Sequence, residues 1–202
     1  MSQQTEYEDI KKKIHSTGVR VGTDVKTTFM IPYITQASPE GLYLLDLDIT
    51  LSRIQTAARF IKKFDMNKVV VYSGRVYAST PIEKFCELTG AKKMLGRFMP
   101  GTLTNPSLSF FSEPHLIIIS DPQVDAQTIT EATNAGIPVI GIANTDNVTS
   151  DLDLVIPANN RGRKSLAAVY WLLAREILQD PKAVKYEIDD FETKSANVEE
   201  EL

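Results

Sequence analysis

Acidic side chains follow two apolar runs that have the length of buried strands. Asp46 and Asp48 come directly after the run at 42–45, and Asp121 follows the run at 116–119. Carboxylates in such positions can attack phosphorus, exchange protons and hold a magnesium ion. The pattern is therefore compatible with phosphoryl-transfer chemistry at the ends of strands.

Four segments resemble the motifs of the haloacid-dehalogenase-type phosphatases. In the order nucleophile, phosphate-binding, lysine and magnesium motif, they are 44–50, Ser73-Gly74, Lys92 or Lys93, and 120–125. This resemblance implies a magnesium-dependent phosphatase in which Asp46 and Asp48 do the chemistry.

A structural interpretation of the same carboxylates is favoured by the spacing that follows them. The phosphatase family places a helical squiggle and a β-hairpin flap after its nucleophile, which keep water away from the phosphoaspartate. Here the helical spacing of apolar residues begins at Leu51, which leaves no room for either. Asp46, Asp48 and Asp121 would then cap helices at strand ends.

Buried strands and helices alternate along the chain. Apolar runs predict strands at 42–45, 69–72, 116–119, 139–142 and 154–156. Helical spacing with Pro and Gly punctuation predicts helices from Leu51, over 80–88, from Asp121-Pro122, and from a cap at Asn160 or Ser165. The short crossovers make the strands parallel. We therefore expect an α/β fold, a doubly wound parallel sheet of about five strands with helices on both faces.

The chain divides into three parts. Residues 1–41 are expected to form an N-terminal helix and an arm or short edge strands, and residues 42–180 the α/β core. The Gly- and Pro-rich segment 90–114 is expected to be a long loop. The composition of 181–202 predicts an acidic, disordered tail.

Charge is segregated along the sequence. The net charge is −4, but residues 187–202 hold seven acids and one lysine, so that segment carries −6 and the rest of the chain +2. Between Arg53 and Arg97 there are ten Lys or Arg against three Asp or Glu. A local positive surface, which would suit a polyanionic partner, is therefore plausible despite the acidic total.

Several classes of protein are disfavoured. Cys86 is the lone cysteine, which excludes an internal disulfide and a cysteine-cluster zinc site. There is no Walker loop and no G-x-G-x-x-G after a strand. The sequence has no run of about twenty apolar residues and no apolar leader, so we expect a soluble intracellular protein.

Longer segments closely resemble one ribosomal protein family. They are GTDVKT at 22–27, GRFMPGTLTNP at 96–106, EATNAGIPVIGIANTDN at 131–147 and VIPANNRGRKSLAAVYWLLARE at 155–176. The family is the universal second protein of the small ribosomal subunit, here in its archaeal form, and its eukaryotic relative is also known as the laminin-receptor precursor. The bacterial coiled-coil insertion is absent, because only 107–113 separate Pro106 from the next strand.

The resemblance implies a flavodoxin-like core with a structural role and no enzymatic activity. It implies binding to small-subunit ribosomal RNA and to other small-subunit ribosomal proteins at the junction of head and body, in the cytoplasm. No cofactor, metal, membrane or small-molecule substrate is implied.

Arg and Lys side chains on loops are the groups that RNA phosphates require. The candidate RNA-binding residues are first Arg161, Arg163 and Arg97, and then Lys164, Arg75, Lys26, Lys92 and Lys93. Each lysine has the alternative interpretation of a solvated surface charge. Phe98, Phe110 and Phe111 could pack on partner proteins or in the chain's own core.

Overall fold

The structure is a computed structural model that describes residues 11–179 and 186–193. Its strands are β1 (Ile34–Ala37), β2 (Tyr43–Leu45), β3 (Val69–Ser73), β4 (Lys92–Leu95), β5 (Leu116–Ile119), β6 (Val139–Ala143) and β7 (Leu154–Pro157). Its longer helices are α1 (Leu47–Ile61), α2 (Ser79–Thr89), α3 (Ala126–Ala135) and α4 (Arg163–Leu178). None of the described helices combines the length and apolar content that crossing a membrane requires.

The central sheet has five strands in the order β4-β3-β5-β6-β7. Every neighbouring pair in it is parallel. This is the flavodoxin-like order, in which the direction of winding reverses between the first and third strands of the sheet. The predicted α/β fold with a parallel sheet of about five strands is confirmed.

Each face of the sheet has its own hydrophobic core, because successive strand residues point to opposite sides. One face, which includes Val71, Ile118 and Ile142, packs against α1, α2 and α4. The other face, which includes Tyr72 and Ile119, packs against α3 and the segment between β4 and β5. Helices therefore cover both faces, as predicted.

One predicted strand lies outside the parallel sheet, and one strand of that sheet was not predicted. The run at 42–45 contains β2, which pairs antiparallel with β1 in a separate two-stranded sheet. The fifth strand of the parallel sheet is instead β4, within the predicted loop 90–114. Because β4 is an edge strand with the exposed Lys92 and Lys93 at its start, it lacks the continuous apolar run of a central strand.

An N-terminal arm, defined here as residues 16–33, lies beside the small sheet. Val21 forms a β-bridge with Leu44, and Gly22 donates its N–H to the carbonyl of Tyr43 at 2.8 Å. Met30 is fully buried against Leu45 and the end of β6. The arm therefore pairs with β2 and completes its cover.

The rest of the predicted long loop is held by α3. The carboxylate of Glu131 accepts the N–H groups of Gly101 at 2.8 Å and Leu103 at 3.2 Å. Phe98 packs edge-on against Tyr72 with ring centroids 5.4 Å apart. Burial in the chain's own core is therefore the outcome for Phe98, whereas Phe110 stays exposed and Phe111 is half-buried.

Residues 186–193, here called the C-terminal strap, are ordered against α4. They lie within the range that was predicted to be a disordered tail, and 180–185 and 194–202 fall outside the described residues. Phe191 is fully buried in the main core, and Trp171 donates its ring N–H to the carbonyl of Tyr186 at 3.0 Å. The acidic composition of this segment indicated disorder, although its apolar residues Tyr186, Ile188 and Phe191 pack in or against the main core.

Candidate nucleic-acid interface

The carboxyl ends of the five parallel strands meet at one side of the sheet, here called the loop edge. Its segments are 74–75, 96–97, 120–125, 144–147 and 158–162. In open α/β sheets this side carries the binding functions, above all where the strand order reverses. Here the order reverses between β3 and β5, so the side chains after these two strands decide what the crevice can hold.

Asp125 joins the loops after β3 and β5. Its Oδ1 accepts the N–H of Gly74 at 2.9 Å, and its Oδ2 accepts the N–H of Asp121 at 3.2 Å. Burial raises the pKa of this carboxyl to about 7, against which the two N–H donors act. Asp125 therefore closes the bottom of the crevice with backbone hydrogen bonds.

An internal ion pair fills the crevice above Asp125. Arg75 donates its Nε–H to Oδ2 of Asp121 at 2.5 Å, and its Nη2 also lies against that oxygen. The Asp121 side chain is 1% exposed and that of Arg75 24%. Arg75 therefore neutralises a buried carboxylate, and its predicted RNA contact would use only the exposed quarter of the side chain.

Buried asparagines connect the loops after β6 and β7. Oδ1 of Asn147 accepts the backbone N–H of Asn144 at 2.6 Å and the side-chain N–H of Asn160 at 2.9 Å. Asn147 also donates to Asp121 at 3.4 Å, which extends the network to the ion pair. Sequence reasoning missed these residues, although two Asn- and Asp-rich strand ends, 144–147 and 159–160, were the available signal.

The arm is tied to the same network. Thr145 accepts the N–H of Thr23 on its Oγ1 and the N–H of Thr27 on its carbonyl, both at 2.9 Å. Gly22 is required there, because a Cβ at this position would lie 2.5 Å from Cγ2 of Thr145. The arm carries the exposed Lys26 to this region of the surface.

The start of α4 differs from its prediction. Asn159, and neither Asn160 nor Ser165, accepts the N–H groups that precede the helix, those of Arg161 at 3.0 Å and Gly162 at 3.2 Å. Gly162 is the N-cap residue, and no described side chain caps the first turn. The N–H groups of that turn therefore remain suited to an anion.

Three cations surround this helix start. Arg161 is exposed and forms an ion pair with Asp146 across the loop edge. Arg163 is half-buried, with its guanidinium carbon 5.9 Å from the ring centre of Tyr77, and Lys164 is exposed. These three residues, here called the α4 patch, are brought together by the structure as the sequence order requires.

Arg97 lies at the same side of the sheet, just beyond the end of β4, and is exposed. Lys92 and Lys93 lie at the start of β4 and hence toward the opposite side, and Lys93 pairs with Glu83 of α2. The eight predicted residues are thus not one cluster, and whether each contacts RNA stays a prediction.

The phosphatase alternative is wrong. Asp46 follows β2, outside the parallel sheet, and caps α1 by accepting the N–H groups of Asp48 and Ile49. Asp48 pairs with Lys11, and Asp121 pairs with Arg75. Within 11–179 and 186–193, no three His, Cys, Asp or Glu side chains are grouped as metal ligands would be.

The fold and the loop edge define a class of protein. Its crevice is filled by the chain's own side chains, and cations stand at the rim on loops that internal hydrogen bonds fix. These features define a flavodoxin-like α/β protein whose crevice is closed by internal contacts and whose rim carries cations.

The chain belongs to the ribosomal protein S2 family, which relatives that match nearly its whole length show, and the model of that family matches residues 108–180. That match runs from just before β5 to the end of α4 and includes the α4 patch. Members of this family are structural proteins of the ribosome, which confirms that the chain is not an enzyme.

Relatives match over most of their length. The chain is 69% identical over 202 residues to "Small ribosomal subunit protein uS2" of Nitrosopumilus maritimus, covering 96% of this chain and 97% of the relative. It is 54% identical over 203 residues to the protein of the same name from Cenarchaeum symbiosum, covering 98% of each. For that of Thermofilum pendens the identity is 53% over 164 residues, 81% of this chain and 77% of the relative.

Proposed function

We propose that this chain is a structural constituent of the small ribosomal subunit that binds small-subunit ribosomal RNA and neighbouring ribosomal proteins at the junction of head and body. The relatives named as small-subunit proteins support the ribosomal role. The proposed location is the cytoplasm, within that subunit, and the proposal involves no cofactor, small-molecule substrate or membrane.

The α4 patch is the observation that carries the RNA contact. Arg161, Arg163 and Lys164 stand where the first turn of α4 leaves N–H groups without a described side-chain cap. Cations and oriented N–H groups together match the charge and the oxygens of a phosphodiester. Because the asparagine network fixes the loops, little conformational entropy would be lost on binding.

The other candidate residues rank by their surroundings. Arg97 and Lys26 support the proposal because both are exposed near the same side of the molecule. Arg75 ranks lower, since phosphate would compete with the Asp121 carboxylate. Lys92 and Lys93 rank lowest, because they lie toward the other end of the edge strand.

Contacts to neighbouring proteins are assigned to the arm. Val25, Phe29 and Ile31 are 54%, 48% and 51% exposed on a segment in which Thr27 donates its N–H to the carbonyl of Thr145 and its hydroxyl hydrogen to the carbonyl of Asn147. An apolar group held outward by an ordered backbone is typical of a protein contact. RNA backbones would instead require more exposed cations than Lys26, because Arg20, the other basic residue of the arm, is half-buried and donates to the carbonyl of Leu45 at 3.4 Å.

Charge reversal at the α4 patch tests the proposal. R161E with R163E should weaken co-sedimentation with small subunits that lack this protein, and should leave the melting temperature within a few degrees of the unchanged chain. Each lost phosphate contact also reduces the salt dependence of binding, so the loss should be greatest at low salt.

K62E with K63E is the matched control. Lys62 and Lys63 are exposed beyond the carboxyl end of α1, away from the loop edge. The control should bind almost as well as the unchanged chain. Equal binding by both double variants would remove the α4 patch from the proposal and leave the family membership standing.

A further inference from the structure

Tyr77 is an exposed aromatic side chain beside the α4 patch. It lies in a short 3₁₀ helix (Val76–Ala78) that follows the loop-edge segment 74–75, and it is 39% exposed. Its ring centre lies 5.9 Å from the guanidinium carbon of Arg163. An aromatic ring therefore stands next to the cations to which the proposed function assigns RNA phosphates.

The backbone of Tyr77 is anchored on both sides of the ring. Ala78 is fully buried in the main core and donates its N–H to the carbonyl of Arg75 at 3.1 Å. The carbonyl of Tyr77 accepts the Oγ1–H of Thr193 at 2.9 Å, and Thr193 belongs to the C-terminal strap and is 1% exposed. Because the backbone is fixed, little conformational entropy would be lost when the ring binds a ligand.

The exposure of this ring has no counterpart in the internal contacts of the chain. Within 11–179 and 186–193, no residue forms a hydrogen bond with the Tyr77 hydroxyl. The other exposed aromatic side chains that the structure describes are Phe29 on the arm and Phe110 on the segment before β5. Tyr77 differs from both in its contact with a cation of the α4 patch.

An exposed aromatic ring beside cations suits one particular group of RNA. Aromatic side chains stack on the flat faces of nucleobases, and this interaction tolerates any base because every base has a π-face. Inside a continuous duplex, the neighbouring base pairs already cover both faces of each base. The ring of Tyr77 therefore suits a base that has left the helical stack, as in a loop or a bulge.

We propose that Tyr77 stacks on an unpaired base of small-subunit ribosomal RNA while the α4 patch binds the phosphates beside that base. The inference rests on the proposed function, in which the α4 patch contacts RNA. The phosphate donors are the exposed Lys164 and the N–H groups of the first turn of α4, which no described side chain caps. The preferred ligand is therefore RNA with an unpaired nucleotide and not an uninterrupted duplex.

The first test compares two RNA duplexes of about 20 base pairs that differ only in one unpaired uridine at the centre. The unchanged chain should bind the interrupted duplex about five- to a hundredfold more tightly, which is the range that base–aromatic stacking contributes. Y77L should abolish this preference by weakening binding to the interrupted duplex alone. Equal affinities of the unchanged chain for the two duplexes would overturn the inference.

Y77F separates the ring from its hydroxyl group. It keeps the stacking surface and should retain the preference of the unchanged chain, so a loss as large as that of Y77L would overturn the inference. Y77L also removes the ring that contacts Arg163. If the ring served only to position Arg163, Y77L would weaken binding to both duplexes equally, and this result would also overturn the inference.

F110L is the matched control. Phe110 is 42% exposed, a value close to that of Tyr77, and lies on the segment before β5. F110L should bind both duplexes as the unchanged chain does. An equal loss of the preference in F110L and Y77L would show a general effect of removing a surface aromatic side chain, which would overturn the inference.

A second test reads the contact directly. 5-Iodouridine in place of the unpaired uridine should couple on irradiation to the ring that stacks on it. Peptide mapping should locate the coupled base at Tyr77 in the unchanged chain, and Y77L should lack this product. Coupling to a different residue, or no coupling, would overturn the inference.

The two proposals fail in different ways. If R161E with R163E weakens binding to both duplexes but Y77L keeps the preference for the unpaired uridine, the inference fails and the proposed function stands. If Y77L binds both duplexes as the unchanged chain does but lowers incorporation into the small subunit, Tyr77 contacts a protein and the inference again fails alone. If R161E with R163E binds both duplexes unchanged, the α4 patch is not an RNA surface and both proposals fail.

Discussion

Asp125 is a carboxyl group held away from water between the loops after β3 and β5. Burial raises its pKa to about 7, while the N–H groups of Gly74 and Asp121 and the charge of Arg75 oppose that rise. The folded state therefore keeps a proton at pH values where the unfolded chain, with an aspartate pKa of about 3.9, has lost it.

This difference predicts a pH dependence of stability. The contribution of Asp125 to the free energy of unfolding should be fully present below about pH 4 and decrease as the pH rises to about 7. D125N removes the ionisation while its side-chain oxygen can still accept the N–H of Gly74. Urea denaturation at several pH values should show the advantage of the unchanged chain over D125N shrinking toward neutrality. Parallel stability profiles for the two chains would contradict a raised pKa.

At the residue scale, sequence reasoning located the cations but not their partners. The α4 patch follows from three basic residues in one short segment, so its position could be predicted. The pairing of Arg75 with Asp121 could not, because the two are 46 residues apart and meet only through the register of β3 with β5. Asn147 and Asn160 were missed since buried asparagine has no sequence periodicity.

At the element scale, the strap closes the main core. Phe191 lies with the inner faces of the helices on that side of the sheet and packs edge-on with Tyr186, at 6.4 Å between ring centroids. An aromatic side chain without exposure contributes through burial and through the cavity that its removal leaves.

F191A should therefore lower the free energy of unfolding by about 3–5 kcal/mol. This decrease is measured by chemical denaturation that is monitored by circular dichroism. F110A is the control, because Phe110 is 42% exposed and its removal leaves no internal cavity. If F191A and F110A were equally mild, the strap would not be part of the core.

The arm depends on one close approach. A methyl group at residue 22 would meet Cγ2 of Thr145 at 2.5 Å and the carbonyl oxygen of Tyr43 at 2.6 Å. G22A should detach the arm and expose it to limited proteolysis, with cleavage near Lys26. T145A should not rescue G22A, since the Tyr43 carbonyl belongs to the backbone. Unchanged protease resistance would show that the arm tolerates the shift.

Elements were predicted best where a single physical signal defines them. Buried parallel strands such as β3 and β5 are continuous apolar runs, and the glycines that end α2 and α3 adopt positive φ. No such signal indicates that β4, and not β2, belongs to the parallel sheet. An edge strand needs apolar residues on one face only, while β2 is apolar because the arm covers it.

At the scale of the whole molecule, two adjoining surfaces differ in chemistry. The α4 patch is cationic and belongs to the loop edge, whereas the arm presents aliphatic and aromatic side chains. Under the proposed function the α4 patch contacts RNA and the arm contacts protein. Substitutions in the arm should therefore weaken protein contacts without weakening RNA binding.

V25S with F29S should lower incorporation into the small subunit and leave the affinity for a mixed-sequence RNA duplex of about 20 base pairs unchanged. R161E with R163E should lower both. Sedimentation of reconstituted subunits and fluorescence anisotropy with the duplex measure the two properties. A fall in duplex affinity for V25S with F29S would show that the arm is also an RNA surface.

The position of the strap in the sequence has a consequence for folding during synthesis. Among the described residues of the main core, Phe191 is the last to be synthesised, after the strands and longer helices that the structure describes. A nascent chain halted before it would leave its largest apolar cluster open to water on the side of α4. The main core of this polypeptide is therefore complete only after residue 191 has been added by translation, the process that its family serves.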